Sequence, residues 1–207
     1  MADARGKDGA DAPDCLPVGA DDPSTAAAGP SGGGSAHVVL VGLMGSGKST
    51  VGRIVAERLG RPLVDVDDVI ASRTGRTVRE LWREGGEDAY RSLESGAVLD
   101  TLAGPEPVVL AAPGGVIMDT AVRTVLADDG VVTVWLRAQV ATLARRVQPD
   151  DHRPLLGEHP VEVLAAMAAE RSGPLAEVSD LVIDIDELGA ESVADLVIGA
   201  MEPDLRS

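Results

Sequence analysis

The 207-residue sequence predicts a doubly wound α/β fold, a three-layer α/β/α sandwich built on a five-stranded parallel sheet. Two observations predict it. From residue 36 onward, short β-type runs alternate with stretches of helical periodicity, and no internal repeat is visible. A glycine-rich loop, Gly42-Leu43-Met44-Gly45-Ser46-Gly47-Lys48-Ser49, also stands between the first such run and the first helical stretch. That is the strand end at which sheets of this kind bind their ligands.

The elements follow in order. Ala36–Val41 reads as a buried strand. Thr50–Leu59 places Val51, Ile54, Val55 and Leu59 on one helical face, and Gly60 is a C-terminal stop. Pro62–Asp67 reads as a second strand ending in Asp65 and Asp67, which period 2 points to the same side. The other reading of this end is a polar strand terminus, with Asp67 or Asp68 capping the next short helix. Thr77-Val78-Arg79-Glu80 is a capping box opening a short helix that ends near Trp82. Gly85-Gly86 breaks the chain, and a helix over 87–102 turns Tyr90, Leu93, Ala97 and Val98 to one face. On it Arg91 and Glu94 lie three apart, the spacing of a surface ion pair.

Val108–Ala112 is the third strand, followed by Pro113-Gly114-Gly115, which reads as a simple turn or as backbone bared to a ligand. A helix over 119–127, a strand over 131–136 and a helix over 139–147 come next. The last of these turns Val140, Leu143, Ala144 and Val147 inward. The polar, proline-broken stretch 148–160 reads as a lid carrying Arg153, with His152 a plain loop residue. Pro160 starts a helix with Val161, Leu164, Met167 and Ala168 inward, ending at Arg171-Ser172-Gly173-Pro174. A strand over 181–185 and a helix over 191–201 close the chain.

Composition narrows the function. Residues 1–35 form an acidic, Ala/Gly/Pro-rich segment without an apolar face, which predicts a disordered tail ahead of a domain over 36–207. That tail has neither a signal peptide's apolar core nor a transit peptide's Arg-rich amphipathicity. The single cysteine, Cys15, lies in it, so an intramolecular disulfide is excluded and a reducing, cytoplasmic setting fits. No apolar run reaches the roughly 18 residues of a membrane span. A net charge of −16 argues against nucleic acid and anionic membrane as partners. An anionic substrate must therefore be captured by a few local arginines.

The loop's chemistry follows from its residues. It matches the Walker A pattern in its strand–loop–helix context, so the fold is of the P-loop NTPase type. Gly45, Ser46, Gly47, Lys48, Ser49 and Thr50 would wrap backbone amides and a helix N-terminus around a nucleotide's phosphates. Lys48 would reach the β- and γ-phosphates, and the Ser49 hydroxyl would ligate Mg²⁺. Of Asp65 and Asp67, one can hold the hydrated Mg²⁺ and the other can accept a hydrogen bond from the attacking hydroxyl.

From residue 38 to about 201 the sequence resembles the shikimate kinases. The resemblance is carried, in order, by Gly42–Gly52, Val64-Asp65-Val66-Asp67, Thr74-Gly75-Arg76-Thr77 with Trp82, Gly86-Glu87-Asp88-Ala89-Tyr90-Arg91 with Glu94, Gly114-Gly115, and His152-Arg153-Pro154-Leu155-Leu156. It implies ATP- and Mg²⁺-dependent phosphorylation of the 3-hydroxyl of shikimate, by a monomer with a substrate-binding region at about 68–102. Lys48, Asp67 and Arg153 would be the catalytic residues, and Ser49 and Asp65 would serve Mg²⁺. Arg146 would lie near the adenine. Asp67, Arg91, Gly114, Gly115 and Arg171 would bind shikimate, with both arginines toward its carboxylate. Two positions depart from the family pattern, and both touch the acceptor side. Pro113 replaces the first of three glycines, and Arg171-Ser172-Gly173-Pro174-Leu175-Ala176 stands where the family reads R-x-P-L-Y. Other readings of the same residues are a kinase of this fold acting on a different hydroxy acid or polyol, or a nucleotide-binding regulator.

Overall fold

A computed structural model describes residues 36–147 and 159–201. The proposed tail and Arg153, with nearly all of the proposed lid, lie outside the described residues. Five parallel strands, β1 (His37–Val41), β2 (Leu63–Asp65), β3 (Val109–Ala111), β4 (Val131–Arg137) and β5 (Leu181–Asp184), form one sheet in the order β2-β3-β1-β4-β5. β1 is central and fully buried, paired with β3 on one side and β4 on the other. Its Val38, Val39, Leu40 and Val41 are at most 1% exposed, which explains an unbroken apolar run instead of alternation.

Among the described residues, seven α-helices cover the two faces. Against one lie α1 (Lys48–Leu59) and α7 (Ala190–Met201), joined through a core of Val51, Val55, Val193 and Val197 with Leu40 and Leu136. The other core gathers Val39, Val41 and Leu110 with residues of α2 (Val66–Thr74), α3 (Val78–Leu102), α4 (Thr120–Leu126) and α6 (Pro160–Val178). A third cluster joins Leu43 of the glycine-rich loop to Leu143 and Val147 at α5 (Val140–Arg146) and to Leu164 and Met167 of α6. The loop is thus held by apolar packing as well as by its own strand and helix.

Several local expectations are corrected. The second strand stops at Asp65, because that side chain accepts the Asp67 N–H at 3.2 Å and caps α2; Asp67 therefore sits in a helical first turn, where its charge suits the dipole. The helix opened by the Thr77/Glu80 capping box runs past Trp82 to Gly86, whose non-helical φ of 75° and ψ of −176° break α3 into two helical stretches at the expected place. Within α3, Glu94 and not Leu93 faces inward: Leu93 is 39% exposed and Glu94 is buried. The Arg91–Glu94 pair is accordingly not a surface pair. Finally, α6 does not stop at Arg171. It continues through Gly173 and Pro174 to Val178, because Leu175 and Val178 prolong the buried stripe of Leu164, Met167 and Arg171. Val161, one turn ahead of that stripe, is exposed.

Candidate active site

The phosphate loop is built by close approach. Gly42, Gly45 and Gly47 all have positive φ, and a β-carbon at Gly45 would stand 2.8 Å from Val147 Cγ2 and 2.9 Å from the Leu143 carbonyl oxygen. Gly47 caps α1 with no side-chain bond to the helix, so the first-turn amides keep their capacity for an anion. Ser49 and Thr50 sit exposed on that first turn, while Ser46 is buried beneath it. Lys48 Nζ donates to the carbonyl oxygens of Gly42 at 2.9 Å and Leu43 at 3.1 Å. The ammonium therefore stands over its own loop, on a stem long enough to reach a phosphate bound there.

Beside the loop, the Ser49 hydroxyl donates to Asp65 Oδ2 at 2.6 Å. Two hard oxygen donors meeting at one point fit Mg²⁺, which leans on one or two protein groups and completes its shell from phosphate oxygens and water. No cluster of three or more His, Cys, Asp or Glu side chains able to hold a metal occurs among the described residues. Asp67, two residues further on, accepts from the Tyr90 hydroxyl at 3.3 Å. Burial, then the charges of Asp67 and Glu94, push the Tyr90 phenol far above its ordinary range, so it remains a donor.

The acceptor side is organised by two arginines. A cavity of about 360 Å³ is lined by Arg91 and Arg171 together with Ser95, Gly115, Asp119 and Glu170. Arg91 Nη1 donates to Glu94 Oε2 at 2.7 Å, Nη2 meets Glu87 at 3.4 Å, and the guanidinium lies 5.6 Å from the Trp82 ring centroid. Burial works against the Arg91 charge, but Glu94 and Glu87 together outweigh it and raise its pKa. Glu94 is itself raised, by desolvation first, with Arg91 opposing. Arg171 differs: burial, then repulsion by Arg91, lowers its pKa. Its Nε is buried without a hydrogen-bond partner among the described residues. A buried guanidinium with an unsatisfied donor calls for an anionic acceptor.

Neither Gly114 nor Gly115 has a positive φ, so backbone freedom is not why they are glycines. A β-carbon on Gly114 would lie 2.8 Å from the Gly42 carbonyl oxygen, and one on Gly115 would lie 2.2 Å from Arg91 Nη1. The first seats the acceptor loop on the phosphate loop; the second leaves room for the guanidinium. Arg146, on the last turn of α5 beside Gly45, donates to the Ile185 carbonyl at 3.1 Å and is exposed. Sequence reasoning brought Lys48, Ser49, Asp65, Asp67, Arg91, Gly114, Gly115 and Arg171 to one end of the sheet, and the structure places them there. Tyr90, Trp82 and Glu170 were not singled out as site residues. The sequence signal for Tyr90 and Trp82 was their spacing around Arg91, and for Glu170 its adjacency to Arg171.

Phosphate loop, hydroxyl–carboxylate pair and anion-receiving pocket together define a P-loop kinase for a small acidic molecule. The shikimate kinase family model matches residues 44–202. A shikimate kinase from Photobacterium profundum is 40% identical over 167 residues, covering 80% of this chain and 94% of that protein. One from Thermobifida fusca is 40% identical over 159 residues, covering 77% and 91%. Among solved structures, the shikimate kinase from Acinetobacter baumannii in complex with shikimate superposes with a TM-score of 0.78 at 31% identity, covering 83% of this chain and 96% of the other. The chain belongs to the shikimate kinase family, in which ATP is the phosphoryl donor.

Proposed function

We propose that this protein transfers the γ-phosphoryl group of ATP to the 3-hydroxyl of shikimate, giving shikimate 3-phosphate and ADP. The observation that carries the acceptor assignment is that Arg171, a buried guanidinium with an unsatisfied Nε, lines the same cavity as Arg91, so that a carboxylate there meets two arginines. The loop amides of Gly45 to Thr50 and the Lys48 ammonium bind the phosphates. Asp67 accepts a hydrogen bond from the reacting hydroxyl, orients it and receives its proton. Arg91, Arg171, Gly115 and the Gly114 N–H hold the acceptor, while Arg146 flanks the adenine and Arg153 meets the transferring charge. Ser49 and Asp65 hold Mg²⁺, which when bound neutralises phosphate charge. With little covalent chemistry asked of the protein, positioning and charge neutralisation supply the rate. The protein acts as a cytoplasmic monomer, without nucleic acid or membrane.

The test is product identity. Incubating the full chain with MgATP and shikimate and resolving the product by phosphorus NMR is expected to show a monoester coupled to the proton on carbon 3. A phosphate on another hydroxyl, or phosphate transfer only to a different hydroxy acid, contradicts the assignment.

A further inference from the structure

The two guanidiniums of the acceptor cavity are neutralised unequally. Arg91 has a buried partner in direct contact, Glu94 at 2.7 Å, and a second, exposed one in Glu87 at 3.4 Å. Among the described residues, Arg171 forms an ion pair with Glu170 alone, its neighbour in sequence, while Glu94 and Glu87 act on its charge from further away. Oε2 of Glu170 stands 3.7 Å from Nε. That is close enough for charge attraction and too long for a hydrogen bond. The Glu170 side chain is 56% exposed, while that of Arg171 is 9% exposed. One member of the pair is fixed in the protein and the other is free to leave into water. Glu170 also lines the cavity itself.

We infer that Glu170 is an affinity-limiting counter-ion of the acceptor pocket: it neutralises Arg171 while the pocket lacks an anion, and an acceptor carboxylate displaces it. This inference rests on the reading that the acceptor is shikimate. An incoming carboxylate replaces a 3.7 Å contact with a charge-assisted hydrogen bond to the Arg171 guanidinium, which favours binding. It must also give up the Arg171–Glu170 attraction and bring two like charges together, which opposes binding. Glu170 therefore acts through Arg171 and sets how tightly the carboxylate is held. The same opposition applies to the phosphorylated product, which keeps the carboxylate and adds further negative charge. A neutral acceptor leaves Glu170 on Arg171 and does not feel the competition.

The test is Glu170→Gln in the full chain, an exposed substitution on a long helix, with steady-state kinetics for shikimate and for its uncharged methyl ester. The control is Glu177→Gln, about two turns further along the same helix, which removes one charge from the chain at an exposed site away from the cavity. For Glu170→Gln the expected result is a KM for shikimate lower by about 2- to 5-fold, the upper range of a partly exposed ion pair. Product inhibition by shikimate 3-phosphate tightens in parallel, while KM for the ester and for ATP stays within twofold and Glu177→Gln behaves as wild type. A KM for shikimate that is unchanged or raised, or one that falls equally for the ester, overturns the inference. A fall of the same size in Glu177→Gln also overturns it, because the effect is then one of net charge. Wild-type turnover is read first. If shikimate is not phosphorylated at all, the parent reading fails and this inference with it; turnover with an unmoved KM in Glu170→Gln sinks the inference alone.

Discussion

Replacing Gly115 by alanine adds one methyl group, and its consequence can be worked from distances. The new β-carbon would stand 2.2 Å from Arg91 Nη1, 2.6 Å from Cζ and 3.0 Å from Nε. Gly115 has φ −84° and ψ −24°, so alanine meets no backbone strain there and the whole effect falls on the guanidinium. To reach ordinary van der Waals distance, that group must move by about 1 Å or more. Its bond to Glu94 is 2.7 Å long, so such a shift stretches it beyond useful hydrogen-bond length. A hydrogen bond to a charged group contributes roughly 1–3 kcal/mol, so KM for shikimate should rise by about 5- to 150-fold. The assay is coupled ADP release at varied shikimate, with KM for ATP measured in parallel and expected to stay within twofold. Gly114→Ala is the contrast. Its β-carbon would press on the Gly42 carbonyl of the phosphate loop at 2.8 Å, so ATP binding should suffer as well. A folded Gly115→Ala protein with an unchanged shikimate KM would refute the reasoning, because Arg91 would then not need its present position to hold the acceptor.

Three further outcomes are expected. Lys48→Ala abolishes transfer to any acceptor, whereas Arg171→Ala mainly raises the acceptor's KM; loss of ATP binding in both, measured by calorimetry, would mean that Arg171 is misassigned. Because burial raises the Glu94 pKa above the ordinary 4.5, protonation removes Arg91's anionic partner at a higher pH than an exposed glutamate would. KM for shikimate should therefore begin to rise, as pH is lowered, before the ordinary glutamate range is reached, and Glu94→Gln should flatten that profile. The same raised pKa means that any stability Glu94 contributes is present below 4.5 and is lost as pH rises through its folded value. Asp119 has the opposite sign. Its side chain caps α4 and its pKa is held below 3.8, first by a hydrogen bond from Ser95, so its contribution is present above 3.8 and lost as pH falls through its depressed value. Asp119→Ala should cost about 1 kcal/mol in urea unfolding at neutral pH and much less in strong acid.

What the sequence revealed was what is decided locally. Strand β1, its loop and α1 follow from one another over about twenty residues, since apolar run, glycines, lysine and helix stop are all consecutive. The Thr77/Glu80 capping box and the break at Gly86 were legible for the same reason. The failures are decided at a distance. Periodicity expected Leu93 inside and Glu94 outside, but Glu94 turns inward to neutralise Arg91, which stands beside Gly115. Gly173-Pro174 reads as a helix end, yet burial of Leu175 and Val178 carries α6 past it, although Pro174 has no N–H for the Glu170 carbonyl. Asp65 and Asp67 were legible as a pair, and a cap was legible at Asp67 or Asp68 but not at Asp65, because one side-chain bond decides where the strand stops.

The most direct test of the central claim is ADP release from MgATP by the full chain, with and without shikimate. Release that depends strongly on shikimate and follows the formation of shikimate 3-phosphate is the predicted result. Nucleotide binding without shikimate-dependent release would contradict it, and would show that the pocket of Arg91 and Arg171 serves another acid.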